Sequence, residues 1–135
     1  EELSKRYFVK DYVYEDEIGT VFDRASIIIA RSGANTCYEL MALNKYSILI
    51  PIPTTSQNEQ LLNARALEEI GLSYVIEQKD LSPETLNKAI FDIVRHKEMN
   101  LNLLDKGFIS TREKTQALVK LNSSEIIVDE SLKLL

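Results

Sequence analysis

Tryptophan, disulfides and long apolar runs are all missing from this chain. Its single cysteine, Cys37, excludes a disulfide framework and fits a reducing compartment. No apolar run approaches the roughly 20 residues that cross a bilayer, and no signal peptide is recognisable. Basic residues are outnumbered, 16 against 21 acidic ones for a net charge of -5, and they are not clustered on any segment. A nucleic-acid groove is thereby excluded. Glycine and proline are sparse, and there is no internal repeat or low-complexity tract. The one histidine, His96, follows a helical pattern and has no partner that would make it an acid or base, so it reads as a surface residue. No metal-ligand cluster is visible, and neither metal nor cofactor is expected.

What is present is a globular balance, 44% hydrophobic and 27% charged over 135 residues, enough for one domain. The chain opens on Glu1 rather than Met, as expected for a piece of a longer protein. Tyr7-Phe8-Val9 and Tyr12-Val13 read as strand. Residues 15–24 have Ile18, Val21 and Phe22 at helical spacing. Ser47-Ile48-Leu49-Ile50 is a buried strand that Pro51-Ile52-Pro53 stops. Thr54-Thr55-Ser56 is a polar loop. Ser56-x-x-Glu59 matches a capping box that opens a helix, with Leu62, Ala66 and Ile70 as its inner stripe and Gly71 as its stop. Ser73-Tyr74-Val75-Ile76 is a further strand. Ser82-Pro83 starts a helix whose apolar face is Leu86, Ala89, Ile90, Ile93 and Val94. A short helical segment over 99–104 and a helix from Ser110 carrying Ala117, Leu118 and Leu121 follow. The tail from Asn122 fits a helix, a strand or a docking segment. Strands alternating with helices predict an α/β layer structure with a mainly parallel sheet and right-handed crossovers.

The chain is organised around residues 26–40. Ile27 to Ala30 is an apolar run suited to a strand buried on both faces. Arg31-Ser32-Gly33-Ala34 makes a tight turn in which Gly33 can take positive φ and admit a ligand close to the backbone. Helical spacing begins at Asn35. A helix start beyond a buried strand presents free N–H groups and a positive dipole end, which suits a phosphate. Two structural readings stand beside this. Thr36-x-x-Glu39 is also a capping box, in which Glu39 only ties down the helix. Cys37, in the first helical turn, is either a low-pKa nucleophile or a small packed residue, the commoner case.

A second polar cluster, Ser56-Gln57-Asn58-Glu59-Gln60 followed by Asn63, also falls at the carboxyl end of a strand. Gln60 and Asn63 share a helix face. Side-chain amides both donate and accept, as the hydroxyls of a sugar require. A solvated helix start capped by Glu59 is the alternative. Taken together, the clusters read as a nucleotide-sugar site, with phosphates at the glycine loop and hydroxyls bonded by Glu39, Gln60 and Asn63.

At these residues the sequence resembles the C-terminal nucleotide-sugar-binding domain of the MurG-type glycosyltransferases (glycosyltransferase family 28), which have the two-domain GT-B fold. The resemblance runs from about Val9 to about Val94. It rests on Arg31-Ser32-Gly33-Ala34 with Thr36 and Glu39, on Ser47 to Pro53, and on Asn58-Glu59-Gln60 with Asn63-Ala64. It implies a Rossmann-like parallel sheet with flanking helices, the C-terminal half of a GT-B fold lacking its first two strands. Residues 1–122 would be that partial domain and 123–135 a tail. It implies that Glu39 accepts from the ribose hydroxyls and that Ser32, Gly33, Ala34 and Thr36 lie near the diphosphate. By the same resemblance Glu59, Gln60 and Asn63 hold the N-acetylglucosamine ring, and Tyr14 and Glu15 sit where the backbone reads uracil. Three departures bear on this. Glu15 replaces an apolar residue, Gln57 to Gln60 varies the family's second cluster, and one extra residue lies between Pro51 and Asn63.

The function implied is donor binding in a UDP-N-acetylglucosamine transferase that passes a hexosyl group to a lipid-linked peptidoglycan precursor, in the cytoplasm at the inner membrane face. The lipid acceptor and the general base would belong to an absent N-terminal domain, so the chain alone is expected to be inactive. The alternatives are another UDP-sugar transferase, a UDP-sugar hydrolase of related fold, or a non-catalytic nucleotide-sugar-binding subunit. The missing strands would leave an exposed edge on the Ile27 strand. That edge is expected to be filled by the Val9 strand, by a second copy of the chain, or by a partner strand.

Overall fold

The computed structural model describes residues 6–53, 56–98, 115, 117–120 and 122–133. Within them, three parallel strands lie side by side in chain order: β1 (Ile28–Ala30), β2 (Ser47–Leu49) and β3 (Ser73–Val75). Ile29 pairs in register with Ile48, and Ile48 with Tyr74. Helix α1 (Glu15–Arg24) precedes β1; α2 (Ala34–Ala42) and α3 (Glu59–Glu69) are the crossovers, and α4 (Pro83–Glu98) follows β3. This is the expected α/β layering.

Alternation along the strands separates two cores. Ile28, Leu49 and Val75 pack with Cys37 and Leu40 of α2 and with Ala64 and Leu67 of α3. Ile48, Ile50 and Ile76 point the other way, under Ala89 and Ile93 of α4. Both crossovers end in a left-handed residue, Asn44 at φ 50° and Gly71 at φ 80°. Lys45 N–H then closes on Leu40 O at 2.9 Å and Leu72 N–H on Leu67 O at 3.0 Å, which stops each helix sharply and aims the chain into the next strand. Helix α4 begins as its sequence indicates. Ser82 Oγ accepts Thr85 N–H at 3.2 Å, and Thr85 Oγ1 accepts Ser82 N–H at 2.9 Å.

Several expectations are corrected. Residues 7–10 form no strand; Tyr7, Phe8 and Val9 are exposed and pair with no strand of the sheet. β-propensity records fit to a packed surface, and without the surface it makes no strand. The Val9 segment therefore does not fill the edge of β1, and Ile29 is left 47% exposed. The inner stripe of α3 is Leu61, Ala64 and Leu67; Leu62 and Ala66 face solvent. Ala64, fully buried, lets α3 sit close against α2 and the sheet.

Three further expectations concern helix starts and the tail. Neither proposed capping box forms at α2 or α3. Gly33 is the N-cap of α2, which puts Glu39 in its middle, and the N-cap of α3 is Asn58 rather than Ser56. The tail is helical over Ser123–Leu132, here α5, and exposed throughout. Ahead of it, Thr115 bonds Asn44 at 3.3 Å and Lys120 O accepts from the Tyr38 hydroxyl at 2.8 Å, so the chain returns to α2. The Thr54-Thr55 loop, the 99–104 segment, the start at Ser110 and the side chains of Ser56 and His96 lie outside the described residues.

Candidate functional site

The loop between β1 and α2 is shaped from beneath. Ser32 is fully buried, its hydroxyl donating to Gln60 O at 2.8 Å and its carbonyl accepting from Asn63 Nδ2 at 3.2 Å. Gln60 Oε1 in turn accepts Ile52 N–H at 3.0 Å, tying the loop after β2 to the same helix. Ser32, Gln60 and Asn63, singled out separately in the sequence, thus form one bonded unit. The Ser32 hydroxyl is spent on that unit. Gln60 keeps its NH₂ and Asn63 its carbonyl oxygen without a partner among the described residues.

Above this unit, α2 starts bare. Gly33 takes φ -63°, ψ 152°, an extended conformation open to any residue, so positive φ is not the reason for glycine here. A Cβ built on Gly33 meets nothing within 4 Å, so the space over the loop is open. The first helical bond runs from Cys37 N–H to Gly33 O at 3.0 Å, leaving Ala34, Asn35 and Thr36 N–H without helical acceptors. No side chain caps this end, and its first turn carries no acidic residue. The contrast with the other starts is direct, since α1 opens on Glu15, Asp16 and Glu17, α3 on Glu59 and α4 on Glu84. The uncompensated positive end of α2 is a place for an anion.

Glu39 stands on α2 exposed, with no side-chain hydrogen bond or ion pair among the described residues. Cys37 is buried, and burial pushes its thiol up to about 11, so it is the packed residue and not a nucleophile. Glu59 is exposed at the first position of α3. Tyr14 and Glu15 sit at the start of α1. Tyr14 rests edge-on against Tyr12 with ring centroids 5.1 Å apart, and the backbone bonds of Tyr14 run to Glu17 and Ile18. No recorded bond ties Tyr14 or Glu15 to the β1–α2 loop.

Two features escaped the sequence reading. Arg31 reaches across the strand ends, its Nη1 donating to Ile50 O at 2.9 Å and to Gln78 Oε1 at 2.6 Å. Beside it a cleft of about 430 Å³ opens between the loops after β2 and β3, lined by Pro51, Ile52, Pro53, Asn58, Leu61, Glu77, Gln78 and Lys79. Glu77 is ionised there, held below the usual carboxylate range by the hydrogen bond from Lys79 and, more weakly, by Arg65. The signal available was position alone, because both loops follow the carboxyl ends of parallel strands.

Comparison with known proteins agrees with this geometry. The family model described as the glycosyltransferase family 28 C-terminal domain matches residues 2–120. Two similar proteins carry the name UDP-N-acetylglucosamine--N-acetylmuramyl-(pentapeptide) pyrophosphoryl-undecaprenol N-acetylglucosamine transferase. One, from Sulfurihydrogenibium, is 32% identical over 90% of this chain and 32% of its own length. The other, from Clostridium perfringens, is 40% identical over 69% of this chain and 27% of its own. A crystal structure of MurG from Acinetobacter baumannii superposes with TM-score 0.67 at 25% identity, over 89% of this chain and 32% of that one. The chain thus spans about a third of the length of these relatives. A parallel sheet with flanking helices, a bare helix start braced by Gln60 and Asn63, and a family match over nearly the whole chain lead to one conclusion: the chain belongs to the C-terminal domain family of the family 28 glycosyltransferases.

Proposed function

We propose that this chain is the donor-binding part of a glycosyltransferase that takes N-acetylglucosamine from its UDP ester and transfers it to a lipid-linked peptidoglycan precursor. The observation that carries the reading is the start of α2, with three free N–H groups, no cap, no acidic residue and open space over Gly33. Residues 1–122 act as the donor-binding unit, with 123–135 as a tail. Gly33, Ala34 and Thr36 take the diphosphate, whose developing charge the helix end stabilises as UDP leaves. Ser32 holds that loop in shape. Glu39 takes the ribose hydroxyls. Glu59, Gln60 and Asn63 face the sugar, Gln60 donating and Asn63 accepting with the halves of their amides that the scaffold leaves. Tyr14 and Glu15 lie toward the base.

In the transfer step the acceptor hydroxyl attacks the anomeric carbon, the bond to the diphosphate breaks, and the configuration inverts. No described residue is placed to take the acceptor's proton, so that step falls to the remainder of the enzyme. The enzyme works in the cytoplasm at the inner membrane face. No helix among the described residues is long and apolar enough to cross a membrane.

Calorimetry with UDP tests the reading, and Gly33→Ala sharpens it. Alanine fits the backbone and the empty space. Its cost at an N-cap and its gain in unfolded-chain entropy are each about 1 kcal/mol or less and oppose one another. Melting temperature should therefore barely move, while UDP binding weakens by about 1–3 kcal/mol as the methyl crowds the phosphates. No UDP binding by the folded wild-type chain, or equal binding by the variant, would remove the phosphate loop from the reading.

The outer edge of β1 is proposed to pair with a second copy of this chain. The outer edge of β3 is partly closed, with Glu68 Oε1 accepting Val75 N–H at 3.3 Å, and β1 has no such guard among the described residues. Apparent mass in solution should rise with concentration; a constant monomer mass would exclude the pairing.

A further inference from the structure

Arg31 and Gln78 meet across the strand ends, and neither takes part in the donor site proposed above. Arg31 makes no ion pair among the described residues; its Nη1 alone donates to two neutral acceptors, Ile50 O and Gln78 Oε1. A charged donor makes the stronger kind of hydrogen bond, and one spent on a side-chain amide settles which way that amide points. Gln78 turns its oxygen to Arg31, so its NH₂ is turned away and has no partner among the described residues. Gln78 also lines the cleft between the loops after β2 and β3. We propose that Gln78 is a further binding residue for the donor sugar and that Arg31 is the positioning residue that presents its NH₂, an inference that rests on the donor-site reading.

The order of the strands carries the placement. The sheet runs β1-β2-β3, so the loops at the strand ends stand side by side in that order. In the donor reading the diphosphate occupies the loop after β1, and the sugar lies at the start of α3, after β2. The next loop in line, after β3, carries Gln78. The cleft joins these parts. Ile52, in its wall, gives its N–H to Gln60 Oε1 at 3.0 Å, while Arg31, the residue before Ser32, holds both Ile50 and Gln78. The edge of the sugar remote from the diphosphate therefore faces Gln78.

Gln60 and Gln78 are then a matched pair. Each spends its oxygen on the scaffold, Gln60 on Ile52 N–H and Gln78 on Arg31, and each keeps its NH₂ for a ligand. A sugar hydroxyl or an N-acyl oxygen accepts from such a group. Without Arg31 the Gln78 amide would present its oxygen as readily as its nitrogen, and oxygen would meet oxygen. The charged groups in the cleft wall, Glu77 and Lys79, are paired with each other at 3.2 Å, which leaves the amides to read a neutral group.

Calorimetry on the whole 135-residue chain with UDP and with UDP-N-acetylglucosamine tests both parts. Gln78→Glu keeps an oxygen for Arg31 and removes the NH₂. If Gln78 only braces the loops, that change is silent. As a sugar ligand, its loss should lower the affinity for UDP-N-acetylglucosamine relative to UDP about 2- to 10-fold, the value of one neutral hydrogen bond. Arg31→Met removes the brace and should lower the same ratio. The change in charge falls at least as heavily on UDP, the more highly charged ligand, so charge alone does not produce the fall. In the double variant the ratio should fall no further than in Gln78→Glu, because Arg31 then has no donor left to position. Both side chains are exposed, and melting temperatures should barely move. An unchanged ratio in Gln78→Glu overturns the sugar contact. Additive falls in the double variant overturn the positioning role, since Arg31 would then act elsewhere. Absence of UDP binding by the wild-type chain fails the donor reading and takes this inference with it. With UDP bound, the ratio reports on Gln78 and Arg31 alone, so the two readings fail separately.

Discussion

Replacing Ile48 with alanine should destabilise the fold by about 2–5 kcal/mol. Ile48 is the middle residue of the middle strand and has no solvent exposure. In register it lies between Ile29 and Tyr74, with Ala89 and Ile93 of α4 above it. Removing three carbons there leaves a void that backbone pairing on both sides prevents from collapsing. A domain of ordinary stability, about 5–15 kcal/mol, would lose from about an eighth of it to nearly all of it. Ile29→Ala is the internal control. It is the same residue type on the same face, one strand over, but half exposed, and it should cost less than half as much. Urea midpoints at low protein concentration measure both. Equal losses would show that something covers β1 in solution, as pairing between copies would.

That contrast between neighbouring strands also shows what the sequence could tell. The strands at 27–30, 47–50 and 73–76, the helix from Ser82-Pro83 and the stop at Gly71 were all legible, because their signals are local: β-branched runs, a hydroxyl before a proline, a glycine after an apolar stripe. The failures have another origin. Tyr7-Phe8-Val9 has the composition of a strand and none of the neighbours, and composition does not report neighbours. The face of α3 was misread because Leu62 and Leu61 are equally apolar. What decides between them is Ala64, whose small size permits close approach and whose burial only the packed structure reveals.

The candidate site was legible as a list of residues and not as a device. Ser32, Gln60 and Asn63 were marked from their types and spacing, yet their mutual bonds cross some thirty residues of chain and leave no trace in a local pattern. The glycine was marked for two properties: positive φ, which it does not adopt, and room for a ligand near the backbone, where the space is open. Arg31 was passed over as loop. Its role depends on the ends of β2 and β3 lying beside it, which is a fact of topology.

Glu39→Ala should weaken UDP binding by about 1.5–3 kcal/mol, the range for hydrogen bonds to a charged group. Two explanations for a glutamate here were open in the sequence, a helix cap and a ribose ligand. The cap requires the third helical position, but Gly33 as N-cap gives that position to Thr36 and leaves Glu39 three residues further on. There it is exposed, and its side chain bonds to no other described residue. Alanine is the better helix former, so the variant should be as stable as the wild type or slightly more so. A carboxylate holding a vicinal diol predicts a specific pattern. Wild-type protein should prefer UDP to 2′-deoxy-UDP, and the variant should bind the two alike, because the lost hydroxyl no longer has a partner. Calorimetry with both ligands on both proteins completes the cycle. If the substitution weakens both ligands equally, Glu39 acts through the shape or field of α2 and the ribose assignment fails. If it lowers the melting temperature by several degrees, a structural role has escaped the geometry described above.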